Sequence, residues 1–369
     1  MAEIATDLNA CRERQQRLLE QMQRQRVGLV VLTRGESIQW LTGARVGPLF
    51  TPTAAIDADG QVTLVLPSRK VETTAAADKI LPYEEKRLST MRDLSDQRSS
   101  SIAALFDSLT GMPSNPACEH GDAPIVLTSA WSGDWRDFDP IMFRLRRRKD
   151  PDELALMRRA NEANRVMYDH ARNVIEPGLD EIELYNQLHT AAVQTLGEPL
   201  TYFGQDFRAN ARGGAPRRRG AEAGELWILD LGVGLRGYHS DNARTIAVGG
   251  SPTDEQQQAW ELLSGVFPHV ESFVKPGASC QQLFATVAEL LAPAEPWLFN
   301  HHLGHGVGLA PHEGPHLNPN WDDTFEVGDF FTAEPGLYHD DLRHGIRLEQ
   351  NYVVTETGVE LLTDWPLGL

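Results

Sequence analysis

Two aspartates in the C-terminal half of the chain lie where carboxylates are rarely found alone. Asp230 is in the apolar run LWILDLG, and Asp241 follows in GYHSDNART, a segment that predicts the neighbouring strand. A hairpin between the two segments would bring both carboxylates together. A buried charge is costly unless a metal ion or a charged partner compensates it. The alternative is that both aspartates cap backbone groups in turns, and the pair alone does not decide between the two.

A histidine-rich segment, HHLGHGVGLAPHEGPHL, spans residues 301–317. It contains five histidines, with Gly304, Gly306 and Gly308 between them. Glycines permit the backbone to approach a ligand closely. Imidazoles at this density favour metal binding or proton transfer. The alternative is a histidine-rich surface loop.

Two glutamates lie in strand-like apolar stretches, Glu334 in TAEPGLY and Glu349 in IRLEQNY. For each alone the alternative is a buried ion pair, for example Glu349 with Arg347 or Arg343. Together, the four carboxylates and His305 form an oxygen-rich donor set that suits Mn(II), Co(II), Fe(II) or Zn(II). Bridging carboxylates can hold two such ions roughly 3.5–4 Å apart and deprotonate a shared water. The combination therefore predicts a two-metal hydrolase site.

Strands and helices of the C-terminal half must hold these residues in place. The apolar runs around 226–232, 330–338 and 345–356 predict strands. Asp150, Pro151 and Glu153 predict the capped start of a long helix that reaches about Ile175. Further helices are predicted at 180–196 and in SPTDEQQQAWELLSGVF. Two rounds of helices followed by hairpin strands predict a pseudo-symmetric α+β domain.

The N-terminal half shows alternating helices and strands, which is typical of an α/β domain. A helix is predicted at 8–25, a strand at 27–33 and a hairpin at 55–66 around Asp59-Gly60. Further on, SIAALFDSL predicts a helix and APIVLTS (123–129) a strand. The charged run RLRRRKDPDE (144–153) marks the boundary. We therefore predict two domains, 1–143 and 144–369.

Composition excludes several classes of function. The chain has 369 residues, 41% of them hydrophobic, and a formal net charge of -18, which argues against nucleic acid and anionic membrane surfaces as partners. Its three cysteines are far apart, which argues against a disulfide framework and a thiolate metal site. No apolar run resembles a signal peptide or a membrane span. These features predict a cytoplasmic protein.

The motifs LDLG…GYHSDNART, HHLGHGVGLAPHEGP, TAEPGLY and GIRLEQNYVVTETG follow one another over residues 226–363. Their order and spacing resemble the pita-bread metallopeptidases, in the prolidase and aminopeptidase P branch. RRKDPDELALMRRANEA is similar to the start of that family's catalytic domain, and SIQWLTG to a part of its smaller domain. The resemblance implies a creatinase-like N-terminal α/β domain followed by an α+β pita-bread (creatinase/aminopeptidase-like) catalytic domain.

The resemblance also implies roles for individual residues. Asp241 and Glu349 would bridge two divalent ions, manganese first, with cobalt, zinc or iron as alternatives. Arg347 matches an arginine two residues before the last ligand, and Glu334 would also shuttle a proton. His301 and His312 match histidines that bind the scissile peptide and stabilise the tetrahedral intermediate. The implied metal ligands are Asp230, Asp241, His305, Glu334 and Glu349.

The implied activity is that of an exopeptidase that hydrolyses the peptide bond before proline through a metal-bridging hydroxide. Its substrate would be a small Xaa-Pro peptide, and the family's habit is a homodimer. An Xaa-Pro dipeptidase and an aminopeptidase P remain alternatives, although the short chain favours the dipeptidase group. Two other readings stay open, a metal-free hydrolase such as creatinase and a non-catalytic or altered-specificity member that binds a ligand or cleaves a non-proline amide.

Two positions depart from the family's pattern. The family usually has a histidine in the loop before the first aspartate ligand, whereas here Pro216 is followed by Arg217. Ala243 stands where the family usually has threonine. The basic run from Arg217 to Arg219 is either a solvated loop or a group at the mouth of the site that binds a substrate carboxylate.

Overall fold

The computed structural model describes residues 6–85, 96–111, 113–130 and 133–369. The chain forms two compact units, Met1–Arg146 and Arg147–Leu369. Among the described residues, no helix is both long enough and apolar enough to cross a membrane.

The first unit is built on a six-stranded sheet with the order β4-β3-β2-β1-β5-β6. Strands β1 and β2 are antiparallel, whereas β1 and β5 are parallel. The predicted helix at 8–25 and the predicted hairpin at 55–66 are confirmed. The strands are β1 Leu29–Leu32, β2 Thr53–Asp57, β3 Val62–Pro67, β4 Lys79–Tyr83, β5 Pro116–Cys118 and β6 Arg136–Asp137, and the helices are α1 Leu8–Gln25, α2 Gly35–Thr42, α3 Asp96–Asp107, α4 Ile125–Ala130 and α5 Asp139–Arg147.

The prediction of a strand at APIVLTS is wrong, because this segment forms helix α4. Its apolar residues do not all face the core, since Ile125 is 83% exposed while Leu127 is fully buried. Pro124 stands directly before the helix, where a missing N–H costs nothing. A short apolar run cannot be assigned to strand or helix by periodicity alone.

The second unit begins with the predicted capped helix. Asp150 and Glu153 form a capping box with Pro151 in the first turn, and the helix ends at Val174. The next helix has Asp180 as its N-cap. These helices are confirmed as predicted. The helices of this unit are α6 Pro151–Val174, α7 Glu181–Leu196, α8 Asp254–Ser264, α9 Val266–Phe273 and α10 Cys280–Leu291.

Three sheets complete the second unit. One has the order β10-β8-β7 with β9 beside β8, the second has the order β12-β11-β13-β16-β17, and the third pairs β14 with β15. Their strands are β7 Tyr202–Asp206, β8 Leu226–Leu235, β9 Tyr238–His239, β10 Asn242–Ala247, β11 Gly304–Gly306, β12 Glu313–Leu317, β13 Phe330–Ala333, β14 Gly336–Leu337, β15 Ile346–Arg347, β16 Gln350–Val354 and β17 Val359–Leu361.

Three segments predicted as continuous strands are each interrupted at an acidic residue. Asp241 lies between β9 and β10, Glu334 between β13 and β14, and Glu349 between β15 and β16. Pro335 supplies one cause, because it has no N–H to donate to a ladder. Local breaks in a ladder re-aim side chains and are common beside functional sites. At each of the three breaks, a carboxylate side chain no longer follows the alternating up-and-down pattern of a strand.

Helix α6 packs against strand β8 through buried polar contacts. The Asn164 side chain donates to the Leu231 carbonyl at 2.8 Å, and the Tyr168 hydroxyl donates to the Leu229 carbonyl at 3.1 Å. Tyr168 also bonds to the Asn242 carbonyl on β10. All ten residues of β8 are buried. The strand that carries Asp230 is thus held on both sides.

Candidate metal centre

The first pair of carboxylates lies on the predicted hairpin. Strands β8 and β10 are antiparallel, with Asp230 opposite Ala243, so Asp241 enters the sheet beside Asp230. Both aspartates are 4% exposed. The Oδ1 atoms of Asp230 and Asp241 are buried without a hydrogen-bond partner. Buried oxygens of this kind normally have a partner, so two together indicate a site for a cation.

The second pair comes from the five-stranded sheet. Strands β13 and β16 pair Ala333 with Gln350, which places Glu334 and Glu349 side by side just beyond the ladder. The Glu349 N–H donates to the Ala243 carbonyl at 3.1 Å and so joins the second pair to the first hairpin. One carboxylate oxygen each from Asp230, Glu334 and Glu349 lies within 4.8 Å of the others.

His305 completes the group from strand β11. Its Nδ1 donates to the Gly306 carbonyl at 2.9 Å, which directs Nε2 toward the carboxylates. Nε2 lies 3.2 Å from Glu334 Oε1 and 3.7 Å from Asp241 Oδ2. A histidine whose Nδ1–H is held by a carbonyl presents Nε2 as the ligand atom.

Glycines on β11 let the sheet approach this closely. A Cβ at Gly304 would lie 2.0 Å from the Thr332 carbonyl oxygen, and one at Gly306 would lie 1.9 Å from the Gly314 carbonyl oxygen. Both contacts are with backbone, which cannot move aside without breaking the ladder. Only glycine therefore fits on either side of His305.

The buried carboxylates raise one another's pKa values. Burial raises the pKa of Asp241 well above its usual value, and the nearby Asp230 and Glu334 raise it further. Burial also raises the pKa of Glu349 well above its usual value, with Asp241 and Asp230 adding to the effect. The pKa of Asp230 is raised by burial, although Arg347 opposes the shift. The cluster lacks positive charge for all its acids.

The pKa values of Glu334 and His305 both shift so as to favour the charged forms of these two side chains. Burial alone would raise the pKa of Glu334, but hydrogen bonds from His302 and His305 outweigh it and lower the pKa well below its usual value. Burial would lower the pKa of His305, but the Glu334 carboxylate outweighs it and raises that pKa. Glu334 is thus the acid of the group that the imidazoles keep ionised.

Arg347, Tyr338 and His301 form a chain of hydrogen bonds. Arg347 Nε donates to the Tyr338 hydroxyl at 3.0 Å, and this hydroxyl lies 3.0 Å from His301 Nε2. His301 Nδ1 lies 2.6 Å from the His302 carbonyl, so Nδ1 carries the proton and Tyr338 donates to Nε2. Burial lowers the pKa of His301 to about 4, so the ring is neutral at neutral pH.

Arg347 also reaches the first carboxylate pair. Its Nη1 donates to Asp230 Oδ2 at 2.6 Å and to Asp206 Oδ2 at 3.0 Å. Its Nη2 donates to the Arg212 carbonyl at 3.2 Å. Four of its five N–H donors are therefore taken. Arg347 pairs with Asp230 and not, as one alternative had it, with Glu349.

The structure brings His301, His312 and Arg347 together with the five predicted ligands. His312 is exposed, and its ring centroid lies 4.0 Å from that of His305. One ligand atom each from Asp241, His305 and His312 falls within 4.8 Å of the others. The His312 ring is still partly screened from water by its neighbours, and this partial desolvation together with the nearby His305 lowers the pKa of His312 to about 4.

Sequence reasoning missed several neighbours of the site. His302 Nε2 lies 3.3 Å from Glu334 Oε1, and only its place beside His301 could have suggested this. Tyr338 lies within the TAEPGLY motif, four residues after Glu334. Asp206 and Arg212 carry no signal in the sequence, because strand pairing and the following loop bring them to the site.

Arg217 has a different partner from the one that the sequence suggested. Its side chain donates to both oxygens of Glu181, at 2.6 and 3.1 Å, and its backbone N–H donates to the same carboxylate. Arg219 likewise pairs with Glu225. These two arginines hold a loop to α7 and to the start of β8, so their contacts do not support the predicted capture of a substrate carboxylate.

The donor set fits a pair of divalent cations. It offers four carboxylates and one imidazole, a composition that suits hard and borderline ions. Two of its oxygens have no partner, and three of its acids have raised pKa values because they are buried together. A bound cation would provide a partner for these oxygens and would stabilise the ionised acids. An ion-pair network with so few positive charges would do neither.

The family model described as metallopeptidase family M24 matches residues 155–356, more than half of the chain. The chain belongs to metallopeptidase family M24. A second model, the creatinase/prolidase N-terminal domain, matches residues 14–111 of this M24 chain. The prediction of the pita-bread family in its prolidase and aminopeptidase P branch is confirmed, and so is the predicted fold class.

Relatives of this M24 chain cover it to different extents. An Xaa-Pro dipeptidase of Pyrococcus horikoshii is 24% identical over 95% of this chain and 97% of that protein. An uncharacterized peptidase of Schizosaccharomyces pombe is 31% identical, over 61% of this chain and 51% of that protein. An uncharacterized peptidase of Bacillus subtilis is 28% identical, and the match spans 65% of its length.

Solved structures share the fold. The Xaa-Pro dipeptidase from Bacillus anthracis superposes with a TM-score of 0.82 at 22% identity, covering 97% of this chain and 100% of that one. The X-Pro aminopeptidase from Thermotoga maritima gives a TM-score of 0.76 at 20% identity, covering 96% of this chain and 98% of that one. The two neighbours carry different activities in their names, so the fold does not choose between them.

Proposed function

We propose that this M24 chain is a two-metal exopeptidase that hydrolyses the peptide bond before proline. One observation carries the proposal, namely the convergence of buried acids around two carboxylate oxygens that have no hydrogen-bond partner. The similarity over 95% of the chain to a protein named Xaa-Pro dipeptidase supports the proline preference. The proposed metal ligands are Asp230, Asp241, His305, Glu334 and Glu349.

Manganese is the metal that we propose first, with cobalt, zinc and iron as alternatives for the same donor set. When bound, such ions polarise a carbonyl group and lower the pKa of water, so that hydrolysis proceeds at neutral pH. Asp241 and Glu349 would hold the ions together with the other three proposed ligands. They lie on two segments, the β8–β10 hairpin and the segment leading into β16, that the hydrogen bond from the Glu349 N–H to the Ala243 carbonyl joins.

The chain's own residues supply the remaining chemistry. Hydrogen bonds from His302 and His305 keep Glu334 ionised, so its carboxylate is available to hold a metal ion. The family resemblance adds the role of proton shuttle during attack by water. His312 is exposed beside His305 and neutral at neutral pH, which suits a hydrogen bond to the carbonyl oxygen as charge develops there. His301 is proposed to contact the peptide on the same side.

Arg347 is proposed to act through its neighbours. Because four of its five N–H donors are already taken, it has little capacity left for substrate. Its bonds to Asp230 and Tyr338 fix the first carboxylate and, through Tyr338, His301. Arg347 is therefore a positioning residue in this proposal.

The test is metal analysis combined with a substrate panel. The purified chain is loaded with Mn(II), Co(II), Zn(II) or Fe(II), its metal content is measured, and hydrolysis of Xaa-Pro dipeptides and Xaa-Pro-Yaa tripeptides is followed. We expect two ions per chain and cleavage before proline. Cleavage only of non-proline amides would indicate altered specificity, and the absence of any hydrolysis would favour a binding module.

A further inference from the structure

Arg212 is an exposed arginine beside the site whose hydrogen-bonding capacity is largely unused. Its Nη2 donates to Asn300 Oδ1 at 2.7 Å, and its guanidinium carbon lies 3.8 Å from the centroid of the Tyr338 ring. A guanidinium has five N–H donors. Within the part of the chain that the structure describes, no carboxylate forms an ion pair with Arg212. Four donors are left for a ligand.

The neighbouring arginines differ from Arg212 in this respect. Arg347 is engaged by two aspartates, a tyrosine and a carbonyl group. Arg217 and Arg219 are paired with Glu181 and Glu225. A cation that is already neutralised by a protein carboxylate binds a second anion weakly. Arg212 is the arginine of this set that offers a full positive charge.

The surrounding contacts hold Arg212 in place before any ligand binds. Its guanidinium stacks on Tyr338, and its carbonyl accepts from Arg347 Nη2 at 3.2 Å. The Gly214 N–H, two residues further on, donates to Asp206 Oδ1 at 2.6 Å. Both the side chain and the backbone of this loop are thus tied to residues of the site. A preorganised cation loses less entropy when it binds a ligand.

Arg212 also lies next to a cavity beside the proposed ligands. Its partner Asn300 lines a cavity of about 570 Å³ together with His301, His305 and His312. Among the described residues that line this cavity there is no lysine or arginine. A substrate with a free carboxylate therefore needs a cation at the rim, and Arg212 supplies one with the fork geometry that carboxylates match.

We infer that Arg212 binds the free α-carboxylate of a dipeptide substrate and makes the site a dipeptidase. The inference rests on the proposed function, which it sharpens from an Xaa-Pro peptidase to one that selects Xaa-Pro with a free C-terminus. Arg212 takes the role that the sequence suggested for Arg217.

The test compares a substrate with and without its carboxylate. Steady-state kinetics are measured for an Xaa-Pro dipeptide and for its C-terminal amide, with the Mn(II)-loaded wild type, R212A and R212K. We expect R212A to raise KM for the free acid about tenfold to a hundredfold, the range for a lost charged hydrogen bond. KM for the amide and kcat for both substrates should change less than about twofold, and R212K should recover part of the loss. R218A is the matched control, because Arg218 is an exposed arginine of the same loop.

A structural role for Arg212 would give a different result. Equal changes for the acid and the amide, or no change in either, would overturn the inference while leaving the proposed function intact. Cleavage of neither form by the wild type would overturn both. If R212A does not fold, competitive inhibition of the wild type by proline and by prolinamide provides the same comparison, and equal inhibition by the two would count against the role of Arg212.

Discussion

Buried acids in the candidate metal centre destabilise the folded protein when no cation is bound. Asp230, Asp241 and Glu349 all have raised pKa values because they are buried next to one another. Each acid makes the others harder to ionise. Removing one of these charges should therefore stabilise the metal-free protein and weaken metal binding.

We predict that D241N stabilises the metal-free protein and abolishes tight metal binding. The pKa of Asp241 is raised in the folded state, so the wild type loses stability as pH rises above the usual aspartate value of about 4, and the amide avoids this loss. At pH 8 with chelator, urea unfolding should show D241N as the more stable protein. With Mn(II), metal content should fall and kcat/KM should drop about a hundredfold or more.

The exposed Asp364 provides the matched control for this prediction. D364N should leave the free energy of unfolding and the metal content unchanged. A D241N protein that is less stable than the wild type in chelator and still retains its metal would show that Asp241 is a structural residue.

A second prediction concerns Glu119, a buried acid of the first unit. Burial raises its pKa to about 7, although Ser37 and Arg34 oppose the shift. Since the folded-state pKa is above the unfolded one, its contribution to stability is complete below pH 4.5 and is lost as pH rises through 7. We expect E119Q to remove this dependence, which amounts to about 3 kcal/mol between pH 4.5 and 8.

The Glu119 prediction is measured as the free energy of unfolding of both proteins across this pH range. Glu119 Oε1 accepts from Ser37 and Arg34, and Oε2 has no hydrogen-bond partner, so glutamine keeps the existing bonds. The exposed Glu72 is the control, and E72Q should follow the wild-type profile. Parallel profiles for E119Q and wild type would contradict the raised pKa.

The candidate metal centre depends on how closely strand β11 approaches strand β13. Gly304 faces the Thr332 carbonyl across the two strands. The Thr332 hydroxyl accepts from the His305 N–H at 3.1 Å and lies 3.2 Å from Glu334 Oε1. One strand contact therefore positions two of the proposed ligands.

We predict that G304A separates β11 from β13 and displaces His305. The added Cβ would lie 2.0 Å from the Thr332 carbonyl oxygen, a distance that no side-chain adjustment can relieve. The free energy of unfolding should fall by about 3 kcal/mol or more, and metal content should fall with it. G250A is the control, because a Cβ at Gly250 meets nothing within 4 Å. Full metal content in G304A would show that the close approach is not required.

These elements also show how far the sequence could predict the structure. Capping residues such as Asp150 and Glu153 act locally, so the start of α6 was predictable from the sequence. APIVLTS has no capping pair and no clear period, and its assignment was wrong. The strand breaks at Asp241 and Glu349 were not predictable, because contacts between distant segments impose them, whereas Pro335 marks the break at Glu334 in the sequence itself. The Glu349 N–H bond to the Ala243 carbonyl joins positions more than 100 residues apart.

The same distinction holds within the site. Residues inside apolar strands, such as Asp230, are conspicuous because a charge there needs an explanation. Arg212 and Asp206 lie in or beside a loop, and polar residues there are ordinary. The register of strand β7 on β8 sets Asp206 opposite Asp230, and the loop that follows β7 brings Arg212 to the site.

All the proposed metal ligands belong to one of the two units, Arg147–Leu369. A ligand that binds only the folded state stabilises the unit that holds it. We predict that adding Mn(II) to the metal-free chain slows hydrogen exchange in β8, β10, β13 and β16. Exchange in β1 and β2 of the first unit should change little, which mass spectrometry of peptic fragments can measure. Uniform protection of both units would contradict the assignment.

The cavity wall has a consequence for how such a protein can change over generations. Pro319, Asn320 and Trp321 line the cavity from the connection between β12 and β13, which carries none of the five proposed ligands. We expect substitutions in that connection to alter which peptides fit, while the strands keep the carboxylates in place. Substrate specificity can therefore diverge within a lineage while the proposed metal ligands stay the same.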